Sequence, residues 1–334
     1  MLSFASPYLE AVDQTMRQIV KSSLPDEEGF GVMIRYALGW STAEDRPYEQ
    51  PAGKRLRPLL LLLCAGESWQ RALPAAVAVE LLHNFSLIHD DIQDQSIVRH
   101  NRPTVWQVWG IANAINAGDA MFTLAYAALA SLSSTLEAVP LLKLWHIFNA
   151  TNLELTRGQH LDMRFESQTN VPSEAYISMI RGKSAALLAA SAQIGALVGY
   201  ADEQRASHFA TFGLNVGIAF QIHDDILGIW GDPQVTGKSA ATDLISRKKS
   251  LPVLHGLEHQ PEFAAIYHQP NELSSDNLKR AVALLDQCGA REAALQAEAH
   301  YYELAMRALE LAQPDGQSAG YLSQLLAFLF RRDY

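Results

Sequence analysis

The sequence predicts an all-α protein, on three observations. Helix-forming residues dominate its 334 residues, apolar positions recur at helical spacing, and the alternation of β-branched side chains that marks strands is scarce. With 49% apolar residues, a chain of this length can bury a large core, as one big domain or as two ordinary ones. Because neither a linker nor a low-complexity segment interrupts it, we expect one helical domain over residues 1–334.

Apolar periodicity and the positions of proline and glycine predict the helices in chain order. A first helix covers residues 6–23, a polar loop follows over 41–51, and a buried helix comes after it. Pro74 opens a helix that ends in an acidic cluster, since proline is favoured at the start of a helix. The sequence further predicts that an Ala-rich helix starts at Gly118.

The second half of the chain continues the helical pattern. It predicts a long helix over 141–165, a helix capped by Ser173, and a helix over 212–230. The remainder, 251–334, alternates helical patterns with breaks near Pro261, Pro270, Gly289 and Pro314.

Charge and cysteine content narrow the class of protein. The formal net charge of −10 argues against a general nucleic-acid binder, because such proteins usually carry a basic stripe. Cys64 and Cys288 are too few for a disulfide framework or a thiolate metal site, which favours a reducing compartment. The first residues do not resemble a signal peptide, and the weakly polar stretch 185–200 is too short to span a bilayer. We therefore expect a cytoplasmic protein without a transmembrane segment.

Three carboxylates stand together at the end of the helix that Pro74 opens. On a helix that turns about 100° per residue, Asp94 lies ~40° and Asp91 ~100° from Asp90, so all three share one face. Like charges at this spacing repel and weaken a helix, which suggests that a cation binds among them. An isolated histidine is usually an ordinary core or surface residue, but His83 lies ~20° from Asp90 on the same face, and this alignment makes a ligand role as good an interpretation.

Basic residues stand before and after this cluster. Lys54, Arg55 and Arg57 precede a buried helix, where cations oppose the helix dipole unless an anion binds. A solvated helix start is the simpler interpretation of that segment by itself. A second basic patch, Arg99-His100-Asn101-Arg102, lies in a loop that Pro103 keeps from being helical.

A second aspartate pair lies on the helix over 212–230. The pentapeptide Ile-His-Asp-Asp-Ile occurs at 88–92 and again at 222–226, so two helices each offer an Asp-Asp pair in apolar surroundings. Gln221 shares a face with Asp225 and can orient a carboxylate or a water. Lys183 lies in an apolar stretch, where a lysine must reach solvent or meet an anion.

Two carboxylate clusters with basic loops nearby indicate a particular chemistry. Oxygen ligands without cysteine or histidine suit hard cations, and Mg²⁺ usually binds one or two carboxylates together with water and substrate phosphate. Basic side chains can hold the phosphate oxygens that the metal leaves free. The sequence therefore predicts a diphosphate ligand, although either cluster alone is as compatible with a solvated acidic helix end.

These motifs together resemble the trans-isoprenyl diphosphate synthases, the polyprenyl synthetase family. The resemblance covers roughly residues 50–255, in the family's order, and its combination of motifs is specific. It is carried by Gly53-Lys54-Arg55-Leu56-Arg57-Pro58, the run from Leu82 to Asp91, Arg99 with Arg102-Pro103-Thr104, Gly158-Gln159, Lys183-Ser184, and Phe220 to Asp225 with Gly237-Lys238. The family fold is a single-domain helical bundle around a deep central cavity, with the two aspartate motifs facing each other across its mouth.

The resemblance implies a role for each matching residue. Asp90, Asp94 and Asp224 correspond to the principal ligands of three Mg²⁺ ions, and Asp91 and Asp225 to ligands or neighbours of ligands. The residues that would hold the allylic diphosphate are Arg99, Lys183, Gln221 and Lys238. Those that would bind isopentenyl diphosphate are Lys54, Arg57 and His83. The resemblance also implies a homodimer.

Two positions depart from the family pattern. The usual second arginine after the first motif is His100, and Arg102 is a candidate to replace it as a contact for isopentenyl diphosphate. The second motif has Gly228 in place of its last aspartate, and Asp232 or Asp243 could contribute a carboxylate instead. We expect metal binding to survive, because Asp224 would be the principal ligand.

The family also relates product length to the residues just before the first motif. An aromatic residue at the fifth position before it, here Phe85, shortens the product, and the next residue is the small Ser86. This pattern resembles the synthases that make geranylgeranyl diphosphate, with farnesyl diphosphate as the alternative. Helical geometry does not derive this role, since it places Phe85 ~140° from Asp90, and an ordinary core position is the competing interpretation.

Two other functions remain open at this point. A class I terpene cyclase also ionises an allylic diphosphate with Mg²⁺ and aspartates, but it would not need Lys54, Arg57 and His83 as a second diphosphate site. A non-catalytic subunit of a heteromeric synthase could lose its metal ligands, whereas the principal ones are present here.

Overall fold

The computed structural model describes residues 2–24, 29–48, 53–231, 241–269 and 273–330. It is helical almost throughout, as the sequence predicts. The chain forms two compact units, one of residues 1–147 and 191–203, the other of residues 148–190 and 204–334. That these units make up a single domain stays a prediction.

The first unit contains five helices whose bounds lie within it among the described residues. They are α1 (Ser6–Ser23), α2 (Phe30–Ala37), α3 (Leu56–Cys64), α4 (Leu73–Gln93) and α5 (Val105–Ala130). Short 3₁₀ turns at Ser3–Ala5, Gly66–Ala72 and Ser131–Ser134 connect or extend them. Two-residue strands, β1 (Val98–Arg99) and β2 (Arg102–Pro103), pair antiparallel between α4 and α5.

Helix α4 is the central element of this unit. It packs against α1, α3 and α5, and most of its first ten residues are buried. Proline stands in its first turn, as the sequence predicts. By length and composition, residues 66–93 could also cross a membrane. However, 61% of their apolar 18-residue window is buried inside the protein, so this is weak support for a span.

The second unit begins within α6 (Ala138–Ser167), whose first ten residues belong to the first unit. It contains α7 (Ser173–Ile180), a π-helical turn at Arg181–Ala185, the start of α8 (Ala186–Tyr200) and most of α9 (Glu203–Trp230). Further helices are Thr242–Ile245, Leu251–His259, Pro261–Tyr267, Ser275–Gln287, Ala290–Ala312 and Gly316–Phe330.

The apolar face of α9 supplies much of the core of the second unit. Ile218, Ile222 and Ile226 recur every four residues and pack with Tyr176 of α7. This spacing puts them on one side of the helix. The aspartate pair of α9 therefore lies on a helix whose position is fixed by a buried apolar face.

Three sequence predictions about helix ends need correction. The helix expected to start at Gly118 already begins at Val105, and its irregular point is Gly110, whose φ of 81° favours glycine. Ser173 is the first residue of α7 and Pro172 is the N-cap, without a side-chain cap. Helix α9 begins at Glu203, nine residues before the expected start. Local periodicity does not fix these ends, because a tertiary contact can extend a helix through a weak local signal.

Candidate active site

The first aspartate cluster lies at the C-terminal end of α4. Asp90 is partly exposed, Asp91 is 5% exposed, and Asp94 is exposed at the C-cap. The C-terminus of a helix carries partial negative charge, so carboxylates there are unfavourable unless cations neutralise them. The structure thus places Asp90 and Asp94 where a bound cation would stabilise the helix end.

The carboxylate of Asp91 forms a salt bridge with Arg99 in the first unit. The Nε atom of Arg99 donates to both carboxylate oxygens of Asp91, at 2.8 and 2.9 Å, and Nη2 lies 2.8 Å from Oδ1. Charge-assisted hydrogen bonds of this kind are strong and fix orientation. Asp91 therefore positions Arg99 rather than facing open solvent.

Arg99 and Arg102 flank a tight hairpin turn. His100 and Asn101, the two residues between the strands, have φ of 49° and 60°, which is the left-handed conformation of a type I′ turn. Arg102 stacks between the rings of Tyr36 and Tyr48, at 3.9 and 4.4 Å, and donates to Ser41 O at 2.7 Å. Its guanidinium group thus anchors the hairpin to the segment after α2.

His100 lies close to the Gly-Lys-Arg segment. A Cβ built on Gly53 would be 3.8 Å from His100 Nε2, so the hairpin and this segment approach each other. Burial and, next, the charge of Arg99 lower the pKa of His100, while Asp91 opposes them. His100 therefore carries less positive charge near neutral pH than the arginine usual at this position.

Arg57 and His83 contact each other in the first unit. Arg57 Nη1 lies 3.1 Å from His83 Nε2. Burial, followed by the charges of Arg57, Arg99 and His100, lowers the pKa of His83 well below its ordinary value. A neutral imidazole can accept from arginine at Nε2, which leaves the proton on Nδ1. The structure thus brings Arg57 and His83 together, while Lys54 is exposed.

In the second unit, Asp225 is the centre of a buried hydrogen-bond network. Its side chain is fully buried and accepts from Gln221 Nε2 at 3.1 Å and Lys248 Nζ at 2.8 Å. The hydroxyl of Tyr176 and the backbone N–H of Leu251 also donate to it. A buried carboxylate needs several such partners to offset the loss of hydration. Gln221 thus donates to the carboxylate whose helix face it shares, while its role at the site stays a prediction.

Lys248 is a site residue that sequence reasoning missed. Burial by itself would lower its pKa, but the charges of Asp225 and Asp243 outweigh that effect and raise it, so Lys248 stays protonated. The sequence offers only the basic run Arg247-Lys248-Lys249 as a signal, and such a run is usually a solvated surface. Its contact with Asp225, 23 residues earlier, is a tertiary feature.

Gly228, the departure in the second motif, lies against Asp243. A Cβ built on Gly228 would be 2.5 to 2.7 Å from the carboxylate atoms of Asp243, which is closer than real contacts allow. The Asp243 carboxylate therefore occupies the space that a side chain at 228 would need. Asp232 and Lys238, which were also candidates, lie outside the described residues.

Lys183 lies in the π-helical turn that follows α7. Its Nζ pairs with the carboxylate of Asp162, so this lysine meets an anion, one of the two outcomes expected from the sequence. The next residue, Ser184, donates to Gln221 Oε1 at 2.6 Å. Isolated π-helical turns are frequent at functional sites. Ser184 and Gln221 therefore connect the turn that carries Lys183 to the hydrogen-bond network around Asp225.

The two aspartate pairs, Asp90-Asp91 and Asp224-Asp225, share one pattern of burial. In each, the second aspartate is buried against a cation, whereas the first, Asp90 or Asp224, is only partly buried. Among the described residues, no three acidic, histidine or cysteine side chains form a metal site by themselves. The donor set still fits Mg²⁺, because this ion takes few protein carboxylates and completes its shell with substrate phosphate and water.

Phe85 and Ser86, the residues implicated in product length, lie on α4 and are partly buried. The ring of Phe85 contacts His89 at 4.7 Å and Phe122 of α5 at 5.0 Å. Phe122 is thus an aromatic neighbour that the sequence did not indicate. The two aspartate motifs belong to different units, and their facing each other across a cavity stays a prediction.

Comparison with known proteins agrees with this fold and these motifs. The sequence matches the polyprenyl synthetase family over residues 46–285. A (2E,6E)-farnesyl diphosphate synthase of Mycobacterium tuberculosis is 40% identical over 321 residues, covering 93% of this chain and 88% of that protein. A geranylgeranyl diphosphate synthase of the same species is 36% identical over 313 residues, covering 92% and 87%.

A crystal structure of a polyprenyl synthetase from Streptomyces coelicolor superimposes with a TM-score of 0.89 at 33% identity, covering 97% of this chain and 98% of that one. The chain therefore belongs to the polyprenyl synthetase family and has its all-α isoprenoid synthase fold.

Proposed function

We propose that the chain is a short-chain trans-prenyltransferase that condenses isopentenyl diphosphate with an allylic diphosphate. The observation that carries this proposal is the shared arrangement of the two aspartate pairs. In each pair one carboxylate forms a salt bridge with a basic side chain, and the other is partly exposed. Such a pair can hold a basic group against a diphosphate and offer oxygen ligands to a metal at once.

Asp90, Asp94 and Asp224 would hold Mg²⁺, which when bound would stabilise the negative charge that builds on the diphosphate as its C–O bond breaks. Arg99, Lys183 and Gln221, with Lys238, would bind the oxygens of the allylic diphosphate. Asp91 and Asp225 would act through Arg99 and Lys248 by fixing their positions. The double bond of isopentenyl diphosphate then attacks the allylic cation, and loss of a proton, which we assign to the released diphosphate, completes a five-carbon extension.

Lys54, Arg57 and His83 would bind isopentenyl diphosphate, with His100 at the place of the usual second arginine. Arg102 is a poor replacement for that arginine, because its guanidinium group is held between two tyrosines and a backbone carbonyl. We infer that His100 fills this role, and that it gains charge when the diphosphate binds. At the other departure, we infer that Asp243 supplies the carboxylate that Gly228 lacks, since it occupies the space beside that glycine.

The product that we propose is geranylgeranyl diphosphate, with farnesyl diphosphate as the alternative. The relatives named for both products are similarly related to this chain, at 36% and 40% identity. The aromatic residue at position 85 favours a short product in either case. We also propose that the protein is a cytoplasmic homodimer.

The proposal is tested by incubating the purified chain with radiolabelled isopentenyl diphosphate, dimethylallyl diphosphate and Mg²⁺, and sizing the products. We expect elongated prenyl diphosphates, and we expect Asp90→Ala and Asp224→Ala each to abolish most turnover while circular dichroism stays unchanged. Cyclic hydrocarbons would indicate a terpene cyclase, and absence of products a non-catalytic subunit. Near-normal turnover in either variant would refute the assignment of these aspartates.

A further inference from the structure

Glu80 is a buried carboxylate in the middle of α4. The residue is 3% exposed, and its Oε1 atom accepts a hydrogen bond from Asn84 Nδ2 at 3.3 Å. The second oxygen, Oε2, is buried and has no hydrogen-bond partner within the part of the chain that the structure describes. Buried carboxylates are normally paired or fully hydrogen-bonded, so a half-satisfied one needs an explanation.

Two arginines of the Gly-Lys-Arg segment lie near Glu80, because Arg57 contacts His83, which lies one turn after Glu80 on α4, and Arg55 precedes Arg57 by two residues. Burial raises the pKa of Glu80, and the charges of Arg55 and Arg57 oppose that effect. Arg55 is the N-cap residue of α3, with a left-handed φ of 47°, and its Nη2 donates to Asp13 at 2.7 Å. Its Nε atom is buried without a hydrogen-bond partner within the described residues. Arg55 and Glu80 thus each have a buried polar atom without a hydrogen-bond partner among the described residues.

The electrostatics of this region require a negative charge. Lys54, Arg55 and Arg57 crowd the N-terminus of α3, which already carries partial positive charge. Arg57 must in addition keep its contact with neutral His83. Asp13 offsets the charge of Arg55, and the charge of Glu80 would further reduce the repulsion between Arg55 and Arg57.

We propose that Glu80 is a positioning residue that acts through Arg57 and Arg55. Its buried carboxylate balances their charge, so that Arg57 and His83 keep the geometry needed to bind the diphosphate of isopentenyl diphosphate. Glu80 itself is 3% exposed, so we assign it no contact with the substrate. This inference rests on the proposed function, and it adds a residue on α4 three positions before His83.

Steady-state kinetics with Glu80→Gln test the proposal. Glutamine keeps the size of the side chain and its contact with Asn84 but removes the charge. We expect the KM for isopentenyl diphosphate to rise about tenfold or more, while kcat and the KM for the allylic substrate change less than about threefold, which is the pattern of lost substrate binding. Glu80→Asp, which keeps the charge on a shorter side chain, should give an intermediate KM.

Calorimetric titration with isopentenyl diphosphate alone should show the same loss of affinity. Asp315→Asn is the matched control, because it also removes a carboxylate that pairs with an arginine, here Arg205 of the second unit. We expect the control to leave both KM values unchanged. An unaltered KM for isopentenyl diphosphate in Glu80→Gln, or in Glu80→Asp should the glutamine variant not fold, would overturn the proposal.

The wild-type protein separates this inference from the proposed function. If the wild type neither binds nor extends isopentenyl diphosphate, the proposed function fails. If the wild type turns over and Glu80→Gln has the same kinetics, only the role of Glu80 is refuted.

Discussion

At the scale of single residues, adjacent carboxylates have different roles. Asp90 and Asp91 are neighbours in sequence, yet Asp91 is buried against Arg99 whereas Asp90 is partly exposed. Asp224 and Asp225 repeat this difference with Lys248 as the cation. An aspartate with two charge-assisted bonds is held in one orientation, and the cation that it holds is held as well. Each pair thus combines a positioned cation with a partly exposed carboxylate.

His100 gives a prediction about pH. Burial and Arg99 lower its pKa in the free protein, and a bound diphosphate would raise it by favouring the charged ring. Binding should therefore take up a proton, and affinity for isopentenyl diphosphate should increase as the pH falls from 8 to 6. Calorimetry in buffers of different ionisation enthalpy measures this proton uptake.

His100→Gln is the control, and it should remove this part of the pH dependence. The substrate diphosphate also titrates in this range, so the comparison between the two proteins carries the test. The same pH profile and proton uptake in both would show that His100 does not become charged on binding.

At the scale of elements, the site of the second unit depends on close contact between α6 and the π-helical turn. A Cβ on Gly158 of α6 would lie 2.1 Å from the backbone nitrogen of Lys183, and one on Gly182 would lie 2.6 Å from Glu154 O. Only glycine at both positions lets the two backbones approach so closely. This contact sets the position from which Lys183 reaches Asp162.

We expect Gly158→Ala to lower the free energy of unfolding by about 3 kcal/mol, because the added methyl group forces the backbones apart. Turnover should fall as well, since Lys183 moves with the turn. Urea unfolding and steady-state kinetics measure the two effects. Gly320→Ala is the matched control: nothing lies within 4 Å of its Cβ position in helix Gly316–Phe330, so it should be neutral or stabilise by up to about 1 kcal/mol. A Gly158→Ala variant as stable as the wild type would contradict the close packing.

A row of aromatic rings links three helical segments of the first unit. It runs from Phe85 on α4 through Phe122 and Tyr126 on α5 to Trp145, with centroid distances of 5.0, 5.1 and 5.3 Å. Aromatic pairs at these distances attract beyond the effect of their buried area. Phe122 packs against the ring of Phe85, and this contact limits how far that ring can move.

If Phe85 limits product length, Phe85→Ala should lengthen the product by at least one isoprene unit, because the space of the ring becomes available to the growing chain. Thin-layer or mass-spectrometric sizing of the products measures this change. Phe328→Ala, at a 40% exposed position of the last helix, should leave the product unchanged. An unaltered product with Phe85→Ala would leave Phe85 as an ordinary packing residue.

At the scale of the whole molecule, one surface of α5 fits the proposed homodimer. Ile111 and Ile115, which follow the irregular point at Gly110, are 54% and 42% exposed and lie four residues apart on one face of the helix. Neighbouring exposed apolar side chains of this kind are a candidate contact surface. A second copy of the chain would cover it by a symmetric contact.

Light scattering coupled to size-exclusion chromatography should therefore give the mass of a dimer. Ile111→Glu combined with Ile115→Glu should give a monomer, because charges would have to be buried in the contact. Leu311→Glu, at a 62% exposed position on helix Ala290–Ala312, should stay a dimer. A wild-type monomer, or a dimer that survives the double substitution, would exclude this surface as the interface.

Much of the fold and part of the site follow from the sequence by itself. Helical period and proline placement determine the all-α class and most helices, because these effects are local. The repeated Ile-His-Asp-Asp-Ile segments determine that two helices offer carboxylates, and the helix geometry of Gln221 determines its approach to Asp225. The starts of α5 and α9 were missed, since the local signal there is weak.

Only the tertiary structure decided which carboxylates are covered and by what. Three contacts join segments separated by up to 23 residues. Asp91 pairs with Arg99, Asp225 pairs with Lys248, and the carboxylate of Asp243 lies beside Gly228. Periodicity states which side chains share a face of a helix, but the partner of that face is chosen by packing with distant segments. The sequence thus determined that charges would be concentrated, and the packing determined which of them are buried against a cation and which stay partly exposed.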